Sequence, residues 1–303
     1  MTGSRLDYLP GRQSFLDPSR VGAEDPAAAR AVVVPFGLEA TVSYGGGTAA
    51  GPAAIIAASQ QLELFDDEFG REPYLDYGIA TLREPTILTP VAAALTQLAA
   101  TVADVLDAGK FPLVLGGEHA LTAGAIRPFA ARYADLVVLH CDAHADLRDG
   151  YLGEHFSHAA AMRRVLELPG VSLVSVGIRA LSQSEAEFAA SQGERVRMHF
   201  ARERAAWDMA AMLRALAGRH VYVSFDVDAL DAAVMPATGT PTPAGLSYEQ
   251  ALAVLRSACT TGTVVGADIV EFAPIRGFHA CDYTAAALAY KLLSYALCRG
   301  LRR

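Results

Sequence analysis

The sequence contains no uninterrupted apolar run of the roughly 18 residues that a membrane-spanning helix needs. Its first stretch, MTGSRLDYLPGRQSF, also lacks the hydrophobic segment of a secretory signal. We therefore expect a cytoplasmic protein that does not bind membranes. Lys and Arg number 25 against 33 Asp and Glu and form no cluster, so we expect no nucleic-acid surface. An acidic protein is better suited to a small cationic partner.

Cysteine is also sparse. The four cysteines, Cys141, Cys259, Cys281 and Cys298, have neither CxxC nor CxxxC spacing. Three of them lie in apolar stretches, which is typical of reduced thiols in a protein core. We therefore predict that none of them is a metal ligand or a nucleophile.

What the sequence does contain is a regular alternation of apolar segments. Hydrophobic residues make up 52% of the 303 residues and charged residues 19%, so the chain can bury a large core. From residue 31 onward, short β-branched runs alternate with longer stretches rich in Ala and Leu, a pattern typical of strands separated by crossover helices. The pattern predicts one α/β domain over 1–303, with a mostly parallel sheet of about eight strands and helices on both faces.

The predicted elements follow from composition and periodicity. The strand candidates are short and rich in β-branched residues: Ala31–Pro35, Pro112–Leu115, Leu136–His140, Ser172–Val176, Val196–His199, Val221–Phe225 and Thr263–Ile269. The helix candidates have apolar residues three and four apart, at about 52–60, 90–109, 121–133, 158–167, 182–191, 202–217, 247–260 and 283–298. Segments 1–30 and 62–89 are less regular, and we interpret them as surface arms or oligomer contacts.

Polar residues gather where four of the predicted strands end. The four segments are LVLGGEH (113–119), LVVLHCDAHAD (136–146), VYVSFDVD (221–228) and TVVGADIVE (263–271). In open α/β sheets, ligands bind beyond the carboxyl ends of the strands. We therefore expect the acids and histidines of these segments to face one crevice.

The spacing within the segments predicts a set of six metal ligands. Residues two apart in extended backbone point to the same side, which applies to the acids and histidine of DAHAD and to the two aspartates of FDVD. The histidine of GGEH follows a pair of glycines that permit a tight turn. The predicted ligands are His119, Asp142, His144, Asp146, Asp226 and Asp228.

Four aspartates packed together repel one another unless cations neutralise them. Six ligands are too many for one zinc ion held by three protein groups, but they suit two ions that share bridging carboxylates. A carboxylate-rich set favours Mn²⁺, and the ligand types also accept Fe, Co, Ni or Zn. The sequence therefore predicts a site for two divalent metal ions.

The same motifs resemble those of a known family, the ureohydrolases, which include arginases and agmatinases. The matching segments are GGEH (116–119), DAHAD (142–146), SFDVD (224–228), MPATGTPTPAGLS (235–247) and DIVEFAP (268–274). The similarity runs from the neighbourhood of Gly51 to the C-terminal helix and is closest to a bacterial agmatinase. Three features depart from the family pattern: Ala237 stands where glycine is usual, so does Ala244, and the segment FAP (272–274) replaces the common VNP.

The resemblance implies two Mn²⁺ ions per subunit, both bridged by Asp142 and Asp226. The first metal site would be completed by His119 and Asp146. The second metal site would be completed by His144 and Asp228. A hydroxide between the ions would attack the substrate, because coordination lowers the pKa of water. The resemblance also suggests a homo-oligomer, either a trimer or a hexamer.

Three residues would carry the rest of the chemistry in such an enzyme. Asp146 would accept a hydrogen bond from the hydroxide and pass its proton towards the leaving amine. His158, in FSHAAAM, matches the family histidine that transfers protons or stabilises the substrate. Glu271 matches the acid that binds the guanidinium group, for which a carboxylate is a natural bidentate partner.

We expect the loop LRDGYLGEHFSHA (147–159) to contact the end of the substrate that is farthest from the guanidinium group. It lacks the Asn- and Ser-bearing element with which arginases bind an amino acid. Asp149 and Glu154 would attract a distal ammonium group, which favours agmatine and the products putrescine and urea. Arg148 instead favours a carboxylated guanidine such as guanidinobutyrate. Arginine, guanidine, formiminoglutamate and a non-catalytic subunit of the same fold stay open as alternatives.

Overall fold

The computed structural model describes residues 6–298, which contain one eight-stranded sheet. All pairs of neighbouring strands are parallel, in the order β2-β1-β3-β8-β7-β4-β5-β6. The strands are β1 (Ala31–Phe36), β2 (Ile79–Thr81), β3 (Phe111–Gly116), β4 (Val137–Cys141), β5 (Ser172–Ile178), β6 (Val196–Phe200), β7 (His220–Asp226) and β8 (Thr263–Val270). The predicted fold class is confirmed.

Helices cover both faces of the sheet. They are α1 (Gly51–Ser59), α2 (Val91–Asp107), α3 (Thr122–Ala125), α4 (Arg127–Arg132), α5 (Ala161–Val165), α6 (Gln183–Ser191), α7 (Met209–Met212), α8 (Tyr248–Thr261) and α9 (His279–Leu297). Because successive strand residues point to opposite faces, Val33 belongs to the hydrophobic cluster that includes residues of α1, α8 and α9, whereas Val32 belongs to the cluster on the other face, which includes residues of α2 to α6. None of the helices within residues 6–298 is long and apolar enough to cross a membrane.

The seven predicted strands are all present, and the structure adds β2. This strand has only three residues and lies inside the segment 62–89 that the sequence pattern left irregular, so it was too short to show alternation. The prediction of a single helix over 202–217 is wrong. The chain there forms 3-10 turns on either side of α7, because Trp207 is extended and Asp208 starts α7 anew by accepting a hydrogen bond from the Ala211 amide (3.1 Å).

The described part of the N-terminal segment packs onto the domain. Phe15 and Leu16 are fully buried, and their amides donate to the hydroxyls of Thr81 (2.9 Å) and Ser59 (2.7 Å). Residues 1–5 and 299–303 of the predicted single domain lie outside the described residues. Oligomer contacts by 1–30 and 62–89 stay a prediction.

Sheet topology brings the four polar segments together. The strands that carry them, β3, β8, β7 and β4, are consecutive neighbours in the centre of the sheet. Because all of them run in one direction, their carboxyl ends meet at one edge. A tight backbone crossing closes this edge, since a Cβ on Gly117 would lie 2.1 Å from the carbonyl oxygen of Leu38.

Ala244 occupies a conformation that suits glycine. Its φ is 64°, in the left-handed region, where a Cβ costs about 1–2 kcal/mol. This is one of the two positions at which the family usually has glycine. The structure therefore explains the preference for glycine there in terms of backbone strain.

Ala244→Gly should raise the free energy of unfolding by about 0.5–1 kcal/mol, because relief of this strain exceeds the added entropy of the unfolded chain. Ala186→Gly, at an exposed position of α6, is the matched control and should lower it by about 1 kcal/mol. Denaturant unfolding of both variants measures the difference. Destabilisation by both substitutions would contradict the assignment of strain to Ala244.

Candidate active site

His119 lies at the centre of the polar edge. The ring nitrogen Nδ1 is surrounded by carboxylate oxygens of three aspartates, at 3.1 Å for Asp142, 3.1 Å for Asp146 and 3.3 Å for Asp226. Although these oxygens are close, none is in line for a hydrogen bond, and within residues 6–298 Nδ1 is buried without a hydrogen-bond partner. A buried polar atom in such surroundings indicates a place for a ligand that the protein itself does not supply.

The opposite nitrogen of His119 fixes the tautomer. Nε2 lies 2.9 Å from the hydroxyl of Ser224, which donates to Asp268 (2.7 Å). Because the Ser224 hydrogen is used on Asp268, Nε2 must donate, so Nδ1 has a lone pair whenever the ring is neutral. Asp268 is fully buried and also accepts hydrogen bonds from Tyr222 (2.8 Å) and Thr122 (2.9 Å). A lone pair that faces three carboxylates fits a bound cation.

His144 belongs to a second group of ligands. Its Nδ1 lies 3.0 Å from a carboxylate oxygen of Asp228 and 3.6 Å from one of Asp142. Asp142 is a member of both groups, with one oxygen towards His119 and the other towards His144. Two groups that share one carboxylate fit two neighbouring divalent ions better than one.

Sequence reasoning missed His140. This histidine is fully buried at the end of β4, where Nε2 lies 2.7 Å from Asp142 and Nδ1 lies 3.1 Å from Ser175. It belongs geometrically to the first ligand group. The signal was present in LHCDAHAD, since His140 stands two residues before Asp142 and so shares its side of the strand.

Burial and mutual repulsion shift the pKa values of the aspartates apart. Burial, aided by Asp142, raises the pKa of Asp228, and burial with Asp228 and Asp142 raises the pKa of Asp226. Burial raises the pKa of Asp142, but the neighbouring histidines His140, His119 and His144 outweigh burial and hold this pKa well below its usual value.

The histidines shift in the direction that their acidic neighbours impose. Burial lowers the pKa of His144, but Asp142 and Asp228 outweigh it and raise the pKa to about 12. Burial likewise opposes the effect of the aspartates at His119, whose pKa rises well above the usual value. Without cations, the cluster therefore retains protons that metal binding must displace.

Two residues of the site have strained backbone. Asp146 has φ 52° and Glu271 has φ 63°, which places both non-glycine residues in the left-handed region. Such strain costs about 1–3 kcal/mol per residue and is commonly found at functional sites. The Glu271 amide donates to the carbonyl of Gly117 (2.8 Å), a contact that stabilises the unusual turn.

Glu271 directs its carboxylate into the site from β8. One oxygen accepts a hydrogen bond from the backbone amide of His119 (2.7 Å). Burial raises the pKa of Glu271 to about 8, with further contributions from the charges of Glu118 and Asp228. A buried carboxylate of raised pKa favours a cationic ligand, because the ligand supplies the charge that burial removes.

His158 lies on the 3-10 turn His158–Ala160, on the wall of the same cavity. Nδ1 lies 3.1 Å from the hydroxyl of Thr41, and Nε2 lies 3.4 Å from that of Ser43. The loop that carries Thr41 and Ser43 follows β1 and was not assigned a role by the sequence. It therefore brings a part of the chain far from DAHAD to the site.

The cavity above the two ligand groups has a volume of about 420 Å³. Its outer wall is formed by a mixture of aromatic, apolar and charged side chains: Val42, Tyr44, Arg148, Tyr151, Leu181 and Glu185. This volume accommodates a small linear molecule. Sequence reasoning singled out Arg148 in this wall but missed the two tyrosines and Glu185.

Asp149 and Glu154, which the sequence suggested as substrate-binding acids, have other partners in the structure. Asp149 is largely exposed and accepts a hydrogen bond from Arg164 (2.7 Å). Glu154 accepts one from the amide of Phe156 (2.9 Å). Among the described residues, the cavity lining includes neither acid.

Metal affinity should increase with pH, because the raised pKa values of Asp226, Asp228, His119 and His144 mean that bound protons compete with the ions. For the proton displaced from His144, whose pKa is about 12, the apparent affinity should rise about tenfold per pH unit between about pH 6 and pH 8. Titration calorimetry with Mn²⁺ measures the change. The control is His220→Asn, which removes an imidazole that is paired with Asp135 away from the cavity. This substitution should leave the Mn²⁺ affinity and its pH dependence unaltered. A pH-independent affinity would contradict the proton competition.

Comparison with known proteins agrees with this geometry. Residues 29–298 match the Arginase family. An N(1)-aminopropylagmatine ureohydrolase of Synechocystis sp. is 36% identical over 299 residues, which cover 95% of this chain and 95% of the relative. An agmatinase of Bacillus anthracis is 37% identical over 258 residues, covering 82% of this chain and 86% of its own. The crystal structure of an agmatine ureohydrolase of Thermoplasma volcanium matches with a TM-score of 0.80 at 30% identity, covering 89% of this chain and 90% of the other. The chain therefore belongs to the Arginase family, the ureohydrolases.

Proposed function

We propose that this protein is an amidinohydrolase that hydrolyses agmatine to putrescine and urea, with two divalent cations of which Mn²⁺ is the preferred ion. The observation that carries the proposal is the buried Nδ1 of His119, which faces three carboxylates without a hydrogen-bond partner among the described residues. Glu271 stands beside this cluster in the same cavity. A cation site next to a buried carboxylate supports hydrolysis of a positively charged substrate.

One cation would be held by His119, Asp142, Asp146 and Asp226. The other cation would be held by Asp142, His144, Asp226 and Asp228. When bound, the two cations would supply a water of lowered pKa for attack on the guanidinium carbon. Glu271 orients that carbon by accepting hydrogen bonds from the planar guanidinium group. Asp146 accepts a proton at its carboxylate, and His158 gives one to the leaving amine nitrogen from its ring.

The named relatives support a substrate with an amine at its far end. Agmatinase and N(1)-aminopropylagmatine ureohydrolase both act, by their names, on agmatine or a derivative that carries an aminopropyl group. In the cavity wall, the exposed ring of Tyr44 offers a face that attracts cations. These features favour agmatine, and they also admit the longer aminopropyl derivative.

Arg148 supports a second candidate, a carboxylated guanidine such as guanidinobutyrate. Its guanidinium group is in the cavity wall, whereas Asp149 and Glu154 have partners elsewhere. However, Nε of Arg148 lies 3.7 Å from Glu185, and the group stacks 4.9 Å from the ring of Tyr151. Because these neighbours already compensate the charge of Arg148, agmatine stays the first candidate.

The remaining expectations are part of the proposal. They are a cytoplasmic location, assembly into a trimer or hexamer, and a place in polyamine biosynthesis. Light scattering of the purified protein tests the assembly state. Identification of the products separates hydrolysis of a guanidine from that of formiminoglutamate, and the absence of any product after metal loading would favour a non-catalytic subunit.

Urea release from a panel of guanidines tests the substrate. We expect the highest kcat/KM with agmatine or its aminopropyl derivative, and values at least about tenfold lower with arginine and guanidinobutyrate, since a contact worth 1.4 kcal/mol changes the rate tenfold. Arg148→Met provides the comparison, because loss of its charge should reduce any turnover of guanidinobutyrate more than that of agmatine. If the unaltered protein preferred arginine or guanidinobutyrate, the proposed substrate would be wrong.

Asp146→Asn should lower kcat by about 10²- to 10⁴-fold, because the amide neither accepts the proton nor carries the charge that a cation requires. Asp67→Asn, which changes a side chain that is 93% exposed, is the matched control and should retain full activity. Steady-state urea assays measure kcat, and circular dichroism verifies the fold. Activity within a few-fold of normal in the Asp146 variant would refute its role.

A further inference from the structure

A loop from a distant part of the sequence is bound to the site by one buried carboxylate. Glu118 is fully buried, and one of its oxygens accepts hydrogen bonds from the backbone amides of Ala40 (2.9 Å) and Thr41 (2.6 Å). Its own amide donates to the carbonyl of Leu38 (2.7 Å). These contacts join residues almost 80 positions apart, so Glu118 determines where the loop lies.

The other oxygen of Glu118 continues into a chain of hydrogen bonds. It accepts the hydroxyl hydrogen of Thr41 at 3.0 Å. The same hydroxyl oxygen lies 2.9 Å from the backbone amide of His158 and 3.1 Å from its ring nitrogen Nδ1. Glu118, Thr41 and His158 therefore form a continuous series from a buried acid to the cavity wall.

The number of hydrogens in this series determines the tautomer of His158. A threonine hydroxyl has one hydrogen and two acceptor positions. Three donors converge on the Glu118 carboxylate, which therefore acts as an acceptor and takes the Thr41 hydrogen. Thr41 can then only accept from His158. Nδ1 of His158 also lies 3.4 Å from the Ser157 hydroxyl, but the nearer oxygen, at 3.1 Å, is the accepting one of Thr41. Nδ1 therefore carries a hydrogen, and Nε2 of the neutral ring keeps the lone pair.

We propose that Glu118 and Thr41 are positioning residues that hold His158 with its hydrogen on Nδ1 and its Nε2 directed at the reacting group. The side chain of Ser43, which lies 3.4 Å from Nε2, lines the cavity together with His158. Proton transfer must then occur at Nε2 alone. This inference rests on the proposed function, in which His158 gives a proton to the leaving amine.

The proton balance of that step is simple. Nε2 takes up one proton from solvent in the cavity while Nδ1 keeps its own, and the ring becomes an imidazolium; Asp146 later returns to solvent the proton that it accepted, so the total number of protons is unchanged. As the bond between the guanidinium carbon and the amine nitrogen breaks, Nε2 gives that proton to the nitrogen, and the ring returns to its neutral form. The negative charge of Glu118 stabilises the imidazolium through Thr41, in the way that a buried acid orients a catalytic histidine.

Nitrogen NMR of the unaltered protein, loaded with diamagnetic Zn²⁺, tests the tautomer directly. The His158 ring signals are assigned by comparison with His158→Asn. We expect the neutral ring to carry its hydrogen on Nδ1, and a hydrogen on Nε2 would overturn the proposal. Because this measurement needs no turnover, it is independent of the proposed function, which fails separately if no guanidine yields urea.

Thr41→Val tests the consequence for catalysis, since valine has the same shape and no hydroxyl. We expect kcat to fall about 10- to 100-fold with KM within about twofold, and the ring to populate both tautomers. Thr41→Ser restores the hydroxyl and should restore both the rate and the tautomer. Thr101→Val removes a hydroxyl that donates to the Gln97 carbonyl within α2 and controls for the loss of a threonine in general.

Glu118→Gln provides a second variant if Thr41→Val does not fold. The amide cannot accept all three hydrogen bonds, so we expect the same loss of kcat and the same mixed tautomers. A normal kcat and a single Nδ1-protonated ring in the Thr41 or Glu118 variant would overturn the role of that residue. A fall in rate that Thr41→Ser does not rescue would also count against the proposal.

Discussion

The arrangement of the site depends on the repulsion among buried carboxylates at one edge of the sheet. Asp142, Asp226 and Asp228 are almost fully buried, and burial raises the pKa of the last two. Protein groups alone do not neutralise this edge, because the imidazoles of His119, His140 and His144 are fewer than the acidic groups around them, and Nδ1 of His119 has no hydrogen-bond partner among residues 6–298. Two divalent cations would neutralise the acids and would bind the Nδ1 lone pair of the neutral His119 ring.

The parallel sheet makes this concentration of charge possible. Four adjacent central strands end at the same edge, so the polar segment at the end of each strand lies at that edge without a long connecting loop. Hydrophobic clusters on both faces hold the strands in place and support the left-handed backbone of Asp146 and Glu271. The stability gained in the core therefore offsets the strain and the repulsion at the edge.

The sequence was sufficient for the fold class and for the six candidate ligands because both depend on local periodicity. The spacing of Asp142, His144 and Asp146 on one strand end is visible in a few letters, and so is that of Asp226 and Asp228. His140 obeys the same rule and could have been found. β2 could not have been found in this way, since a strand of three residues is too short to show a regular alternation of apolar and polar residues.

Contacts between distant segments account for what the sequence left out. Nothing near Thr41 in the sequence indicates that Glu118 binds its amide and hydroxyl, because the partners are 77 residues apart. The orientation of the 147–159 loop is likewise determined by Arg164, whose bond to Asp149 is not evident from charge pattern alone. Substrate preference depends on such contacts, which is why the acids of that loop were a poorer guide than the metal motifs.

The most direct test of the central claim is the number of metal ions bound per chain, measured by mass spectrometry of elements after loading with Mn²⁺ and removal of free metal. We expect two ions per chain in the unaltered protein and fewer in Asp142→Asn, because Asp142 belongs to both ligand groups. One ion or none in the unaltered protein, or two in the variant, would contradict it.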